Sequence, residues 1–165
     1  MSNKAVMHIR VKMEYCVKIE RIPYEEPYHL QLLWDVSNGM QSTRFELYNN
    51  ASDLLKIAKG LEVFPRHPKD VFLYEIGSER EEDNFAHYFR LRAFMVSPRG
   101  QCALQIRFCN NSPLPYKHIS EFCIQLEPRD LNRLGGLFKE FSKLQSNFLA
   151  WNAKGDFLGN KWEYA

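Results

Sequence analysis

Four arginines and one tyrosine are the side chains whose types and spacing best suit a binding function. Tyr88, Arg90 and Arg92 alternate along one predicted strand, Arg107 lies on the next strand, and Arg99 lies in the turn between the two strands. Cationic side chains interleaved with aromatic ones on a sheet can bind single-stranded nucleic acid or an acidic partner. The same pattern also suits a solvated sheet face, because arginine stems cover apolar surface.

The overall charge discriminates between these interpretations. The chain of 165 residues carries 22 Lys and Arg against 20 Asp and Glu, so its formal net charge is +2. A dedicated nucleic-acid binder usually shows a larger and more concentrated positive excess. The charge balance therefore disfavours nucleic acid as the partner and favours a protein.

Two carboxylates, Asp53 and Asp130, could in principle act as an acid–base pair. Each lies three residues after a predicted helix N-cap, Asn50 or Glu127, where a carboxylate stabilises the first turn. We therefore interpret both as helix-start residues and predict no catalytic residues.

Histidine spacing and sequence motifs point the same way. The five histidines stand alone, at His8, His29, His67, His87 and His118. None has the spacing of metal ligands on one element, and no phosphate-binding loop or zinc motif occurs. We predict no metal and no cofactor. A small enzyme is the alternative, and it requires His87 or His118 to meet a carboxylate and an arginine in a cleft.

One stretch of the sequence occurs twice and must organise the elements that carry these side chains. Residues 45–64 align without a gap with residues 122–141, at an offset of 77 positions. Each copy predicts a strand followed directly by an amphipathic helix. The aligned pairs are Phe45 with Phe122, Leu47 with Ile124, Asp53 with Asp130, Leu54 with Leu131, Ile57 with Leu134, Leu61 with Phe138 and Phe64 with Phe141.

The remaining patterns predict the fold class. Alternation from Met7 to Ile19 predicts a long first strand, and Asn38-Gly39 predicts a tight hairpin turn. We predict one α+β domain over residues 1–165, with an antiparallel sheet of about seven strands and two helices packed on one face. The pseudo-repeats of a βββα-type unit span about 5–64 and 71–145.

Two features of the second half need their own explanation. Gly135-Gly136 in the second helix predicts a close helix crossing, with approach of a ligand to the backbone as the alternative.

The C-terminal tail, residues 146–165, carries large aromatic side chains at Trp151, Phe157, Trp162 and Tyr164. We predict that this tail packs on its own domain or supports self-association as a homodimer.

Cysteine usage and hydropathy bear on the cellular location. Apolar runs are too short for a membrane span, and no signal-peptide core precedes the first strand. Two disulfides are arithmetically possible, but nothing indicates export, so we predict free thiols at Cys16, Cys102, Cys109 and Cys123. We expect a cytoplasmic protein with no membrane partner.

The order of strand, Asp-Leu, helix, Phe-Pro and hairpin also supports a resemblance. It is carried by Phe45-Glu-Leu-Tyr48, Asp53-Leu54, Leu61, Phe64-Pro65, Arg99-Gly100, Phe122-Cys-Ile124 and Asp130-Leu131. This pattern resembles small uncharacterised bacterial α+β proteins, some of which are similar to immunity proteins of polymorphic-toxin systems. The resemblance implies a non-catalytic protein that binds a toxin. Immunity proteins against nucleases are often acidic, and this chain departs from that composition.

Overall fold

The computed structural model describes residues 14–164 and has an α+β fold with nine strands and two α-helices in that range. The strands are β1 Cys16–Glu25, β2 His29–Ser37, β3 Ser42–Asn49, β4 Val71–Gly77, β5 Tyr88–Met95, β6 Cys102–Cys109, β7 Ile119–Leu126, β8 Phe148–Asn152 and β9 Gly155–Gly159, and the helices are α1 Ala51–Glu62 and α2 Pro128–Phe141. The predicted first strand is present from Cys16 onward, and its earlier part lies outside the described residues.

The strands form two antiparallel sheets, so the prediction of a single sheet of about seven strands is wrong. One sheet has the order β3-β2-β1-β8-β9 and the other has the order β4-β5-β6-β7. Each three-strand meander has an apolar face, and the residues of these two faces belong to one core. The two helices therefore pack in a core that they share with both sheets, and the prediction that they cover one face of a single sheet is corrected.

The strand that follows each helix completes the sheet of the other half. β4 follows α1 and pairs with β5, whereas β8 follows α2 and pairs with β1. Val71 and Phe148, the first residues of β4 and β8, are separated by the same 77 positions as Phe45 and Phe122. Halves that each end with the strand after the helix, β1 to β4 and β5 to β8, thus share one order of elements and exchange one strand each. The predicted repeats differ from these halves, because they assign β4 to the second repeat and stop before β8.

Both sheets and both helices share one apolar core. Phe45 of β3 stacks on Phe108 of β6, with ring centroids 4.5 Å apart. Trp34 of β2 lies 5.2 Å from Phe89 of β5 and 6.0 Å from Phe138 of α2. These contacts join the sheets and a helix, because alternate residues of each strand point inward.

The helix starts confirm the predicted role of the two aspartates. The Asp53 backbone N–H donates to Asn50 Oδ1 at 3.0 Å, and the Asn50 N–H donates to Asp53 Oδ2 at 3.1 Å. In α2, the Glu127 N–H donates to Asp130 Oδ2 at 3.0 Å. Both carboxylates thus satisfy backbone donors that have no partner inside the helix.

Gly135 lets the two helices cross closely, as predicted. A Cβ atom at this position would lie 2.6 Å from the Glu62 nitrogen and 3.0 Å from the Leu61 carbonyl carbon of α1. At Gly136 a Cβ atom would meet nothing within 4 Å. Nearby, Asn132 of α2 donates its side-chain N–H groups to the carbonyl oxygens of Leu61, Glu62 and Phe64. These hydrogen bonds satisfy carbonyl groups at the C-terminal end of α1.

The turn at Asn38-Gly39 is longer than the tight hairpin that the dipeptide predicts. Ser37 pairs with Ser42, so four residues connect β2 to β3. Asn38 Oδ1 accepts the backbone N–H groups of Met40 at 2.9 Å and Gln41 at 2.8 Å. This side-chain capping stabilises the longer turn, and only Gly39 has the left-handed conformation, with φ of 92°.

The C-terminal tail belongs largely to the fold. Its first half forms β8 and β9 at one side of the five-stranded sheet. Trp151 of β8 is fully buried, its ring lies 4.4 Å from that of Tyr15, and its Nε1–H donates to the Asp130 carbonyl oxygen at 3.1 Å. No helix within residues 14–164 is long and apolar enough to cross a membrane.

Candidate interaction surfaces

The predicted arginine group lies on the solvent side of the four-stranded sheet, which we call the outer face. Strand register places Glu75, Arg90, Arg107 and Glu121 side by side across β4 to β7. Alternation along β5 puts Tyr88 and Arg92 on the same face as Arg90. The structure thus brings four of the five predicted residues together, and Arg99 lies apart in the β5–β6 turn.

Two of these arginines form ion pairs with glutamates of the same chain. Arg107 donates to both carboxylate oxygens of Glu79, at 2.6 and 2.9 Å, and to Glu121 Oε2 at 3.0 Å. Arg90 donates to Glu121 Oε1 at 2.9 Å. Such bidentate contact fixes the guanidinium plane of Arg107. Arg90 and Arg107 therefore have carboxylate partners within the chain.

The electrostatics of the outer face follow from these pairs. Hydrogen bonding to Glu79 raises the pKa of Arg107, and the same bonds lower the pKa of Glu79 below its ordinary value. The three arginines of the face and the nearby carboxylates of Glu75, Glu79 and Glu121 are equal in number, so this region has no net positive charge. This balance disfavours a nucleic-acid site, since phosphate binding depends on uncompensated positive charge.

Tyr88 serves the sheet and offers no stacking platform. Its side chain is largely buried, and its hydroxyl donates to Glu75 Oε2 at 2.5 Å. Burial, together with this carboxylate, raises the pKa of Tyr88 to about 12. A buried neutral phenol of this kind orders the edge strand and is not accessible to a base.

The part of the outer face that has exposed apolar side chains lies at the start of β4 and the end of β5, away from the ion pairs. Val71 pairs with Phe94 and Leu73 pairs with Arg92 across these strands. Val71 is 45% exposed and Leu73 is 51% exposed, and the Arg92 guanidinium lies 4.7 Å from the centre of the Phe94 ring. Arg92 has no carboxylate partner among the described residues. We call these four residues the apolar strip.

The predicted tail residues divide between the core and the surface. Phe157 and Tyr164 pack with Phe148 into an aromatic cluster, with ring centroids between 5.2 and 6.2 Å apart. Trp162 is 81% exposed, whereas Trp151 is fully buried. Trp151 is therefore a core residue that offers no surface to a partner, and Trp162 is the accessible aromatic side chain of the tail.

Within residues 14–164, neither histidine named for the enzymatic alternative has a carboxylate among its hydrogen-bond partners. His118 Nε2 lies 3.1 Å from Thr43 Oγ1 and 2.8 Å from Ser120 Oγ, in a polar contact that joins the two sheets. His87 Nε2 has no hydrogen-bond partner among the described residues, and burial lowers the pKa of this ring. Neither histidine thus forms the acid–base arrangement that the enzymatic alternative requires.

The part of the chain that the structure describes holds no metal site, and its most deeply buried cysteine is unreactive. No group of three or more His, Cys, Asp or Glu side chains is placed to hold a metal ion there. All four cysteines are free thiols, as predicted, and Cys102 and Cys109 are buried. Burial raises the pKa of Cys102 to about 12, so this thiol is not a nucleophile at neutral pH.

A cleft at the α2 end of the molecule was not predicted from the sequence. Its volume is about 920 Å³, and its walls come from Tyr15 before β1, from the β2–β3, β5–β6 and β8–β9 turns, and from the continuous segment that ends β7 and begins α2. No local motif marks these residues, because they belong to five separate segments. Their only signal is apolar side chains in turns, namely Met40 and Val96.

The chain matches no protein-family model, no curated protein and no solved structure. The roles of the outer face and of the cleft are therefore inferred from their geometry.

Proposed function

We propose that this chain is a non-enzymatic protein-interaction module that binds its partner through the outer face. The observation that carries the proposal is the apolar strip, in which exposed aliphatic side chains adjoin an arginine without an internal carboxylate partner. Aliphatic and aromatic area next to an arginine is typical of the residues that dominate binding energy at protein interfaces.

The contrast with the other sheet supports this choice of face. The C-terminal segment lies over the solvent side of the five-stranded sheet, where Tyr164 packs on Phe148 and the Lys161 ammonium lies 2.6 Å from a Glu20 carboxylate oxygen. Lys18 lies 5.6 Å from the centre of the Tyr164 ring. No described segment covers the apolar strip in this way.

Charge complementarity specifies the partner. Arg90 and Arg107 are paired with glutamates, whereas the guanidinium of Arg92, within the strip, has no carboxylate partner in the described part of the chain. A matching surface therefore presents a carboxylate flanked by apolar side chains. We expect the carboxylate to bind Arg92 and the apolar side chains to cover Val71 and Leu73, with desolvation strengthening the ion pair.

The experiment compares two charge reversals. Arg92→Glu changes the apolar strip, and Arg44→Glu is the control charge reversal, at an exposed arginine on the solvent side of the other sheet that pairs with Asp35. Proteins cross-linked to the full chain in its native cells are identified and purified. Binding of each purified protein to the wild-type chain and to both variants is then measured by calorimetry.

We expect one purified protein to bind the wild-type and Arg44→Glu chains equally and the Arg92→Glu chain about tenfold more weakly or worse, a loss of about 1.4 kcal/mol. Equal loss in both variants would contradict the proposal, as would the absence of any protein that rebinds after purification. A salt-sensitive complex with a labelled single-stranded oligonucleotide that depends on Arg92 would replace it with the nucleic-acid alternative.

The cross-linking experiment also identifies the partner. An immunity-like role would make the partner a toxin, and the cross-linking experiment would return that toxin. Self-association through the tail stays a prediction, and Trp162 is the exposed residue on which it depends. Light scattering on the full chain and on Trp162→Ala tests it, since a dimer that dissociates in the variant would assign the contact.

A further inference from the structure

The cleft at the α2 end has one wall made of sheet edge. β7 is the last strand of its sheet, and residues Cys123 to Leu126 line the cleft. The Cys123 carbonyl oxygen accepts a hydrogen bond from Asn38 Nδ2 at 3.0 Å, so this carbonyl points away from β6. In an antiparallel strand both main-chain groups of a residue point to the same side, and the side is the same two residues later. The N–H of Cys123 and both main-chain groups of Gln125 therefore face outward.

The lips and the floor of the cleft are apolar. Met40 on the β2–β3 turn is 76% exposed, and Val96 on the β5–β6 turn is 56% exposed. Between them lie the buried side chains of Leu126 and Cys102. Methionine adapts its shape to different ligands, which makes exposed methionines common at binding surfaces. The cleft therefore suits apolar side chains next to main-chain donors and acceptors.

The charged groups of the cleft are already paired. Arg129 lies 2.8 Å from a Glu127 carboxylate oxygen, and Arg133 binds Asp130 and Asp156. Lys154, on the β8–β9 turn, lies 3.6 Å from a carboxylate oxygen of Glu14. No unpaired charge among the described lining residues would attract an anion or a cation. The occupant that matches this cleft is consequently uncharged.

We propose that the cleft binds a short, uncharged, extended peptide segment of a partner protein, which lies along the edge of β7 and exchanges main-chain hydrogen bonds with Gln125. Peptides commonly bind by adding a strand to a sheet edge, with pockets for alternate side chains. Asn38 closes this edge at the Cys123 carbonyl, and Asp130 closes it at the Glu127 N–H, so the segment is confined between them. The inference rests on the proposed protein-binding function but concerns a different surface.

The test uses the full chain and a phage-displayed library of random peptides. The tightest binder is made as a synthetic peptide, and amide shifts of the labelled chain are recorded on titration. Single N-methyl groups are then introduced along the peptide. We expect saturable shifts at Cys123 and Gln125, and a loss of about tenfold or more when the one peptide amide that donates to the Gln125 carbonyl oxygen is methylated, with the neighbouring peptide amides tolerant.

Two variants assign the surface. Val96→Lys places a charge on the lip of the cleft, and Leu73→Lys places the same charge on the apolar strip. Both positions are exposed, so the fold tolerates either change, and circular dichroism verifies this. We expect Val96→Lys to lose the peptide and Leu73→Lys to bind it as the wild type does. Because Arg92 and Leu73 are outside the cleft, failure of this test and failure of the proposed function are distinguishable.

Three outcomes would overturn the inference. They are a charged consensus sequence, shifts confined to the outer face, and N-methyl groups that have no effect at any position. A consensus that reproduces the chain's own residues 5–13 would also overturn it, because the occupant would then be this chain and not a foreign partner.

Discussion

Substitution of the two adjacent glycines of α2 should have opposite effects on stability. Gly135→Ala adds a methyl group where Glu62 N lies 2.6 Å away, Glu62 Cγ 2.9 Å away and the Leu61 carbonyl carbon 3.0 Å away. Two of these three atoms are backbone of α1, so they cannot rotate aside as a flexible side chain would. Gly136→Ala adds the same group where nothing lies within 4 Å.

The magnitudes follow from two opposing effects. Replacing glycine by alanine within a helix favours folding by about 0.5–1 kcal/mol at either position. Overpacking costs about 1–3 kcal/mol, and a rigid backbone contact belongs in the upper part of that range. We therefore expect Gly135→Ala to destabilise the protein by about 1–2 kcal/mol and Gly136→Ala to stabilise it by up to about 1 kcal/mol.

Urea unfolding of the wild type and both variants measures these values, with tryptophan fluorescence and circular dichroism as independent probes. An unchanged dependence of the unfolding free energy on urea would show that the variants differ in stability and not in compactness. In thermal scans each kcal/mol should move Tm by about 2–4 °C. If alanine at 135 were as well tolerated as alanine at 136, the close crossing of α1 and α2 would be refuted.

Two further predictions concern the tail and the response to acid. Trp151→Ala should lower the free energy of unfolding by about 3–5 kcal/mol, because it empties a fully buried site. Replacement of the exposed Trp162 by alanine should leave the free energy of unfolding within about 0.5 kcal/mol of the wild-type value. Equal effects of the two substitutions in urea unfolding would contradict the assignment of Trp151 to the core. Hydrogen bonds from Arg66 lower the pKa of Asp70 from 3.8 to about 2, so the folded state binds this proton more weakly than the unfolded state does. The stability that this ionised carboxylate contributes is present above about pH 3.8 and is lost as the pH falls towards 2. The Asp70→Asn variant should therefore lose less stability than the wild type over the same pH range, as measured by acid titrations followed by circular dichroism.

The elements could largely be predicted from the sequence because their signals are local. The capping aspartates, the strands that precede them and the helical stripes all lie within a few residues of one another, at Asp53 and again at Asp130. Gly135 was identified for the same reason, since a glycine inside a helix is costly unless something approaches its backbone. The α+β class and the antiparallel pairing follow from such patterns.

The division into two sheets could not be predicted because strand pairing is a long-range choice. Alternation along β4 and β8 indicates that one side of each strand is buried, but it does not indicate which strand lies beside it. The exchange of β4 and β8 between the halves decides that question. It also buries Trp151, so at this residue the tail packs on its own domain, which was one of the two predicted alternatives.

The candidate sites show the same division between local pattern and tertiary contact. The sequence by itself determined that Tyr88, Arg90 and Arg92 share one face of a strand, because strand alternation fixes which side a residue occupies, and it placed Arg107 on the next strand. The register that sets Arg107 beside Arg90 came from the structure. Only the tertiary structure decided their chemistry, since Glu79 lies 28 positions from Arg107 and Glu121 lies 31 positions from Arg90.

Contacts between distant segments also form the cleft, whose apolar lips come from separate turns of the chain. Periodicity within a segment follows from backbone geometry and is legible in the sequence. The neutralisation of a charge or the shape of a cleft depends on which distant segments meet, and that is settled by packing of the whole core.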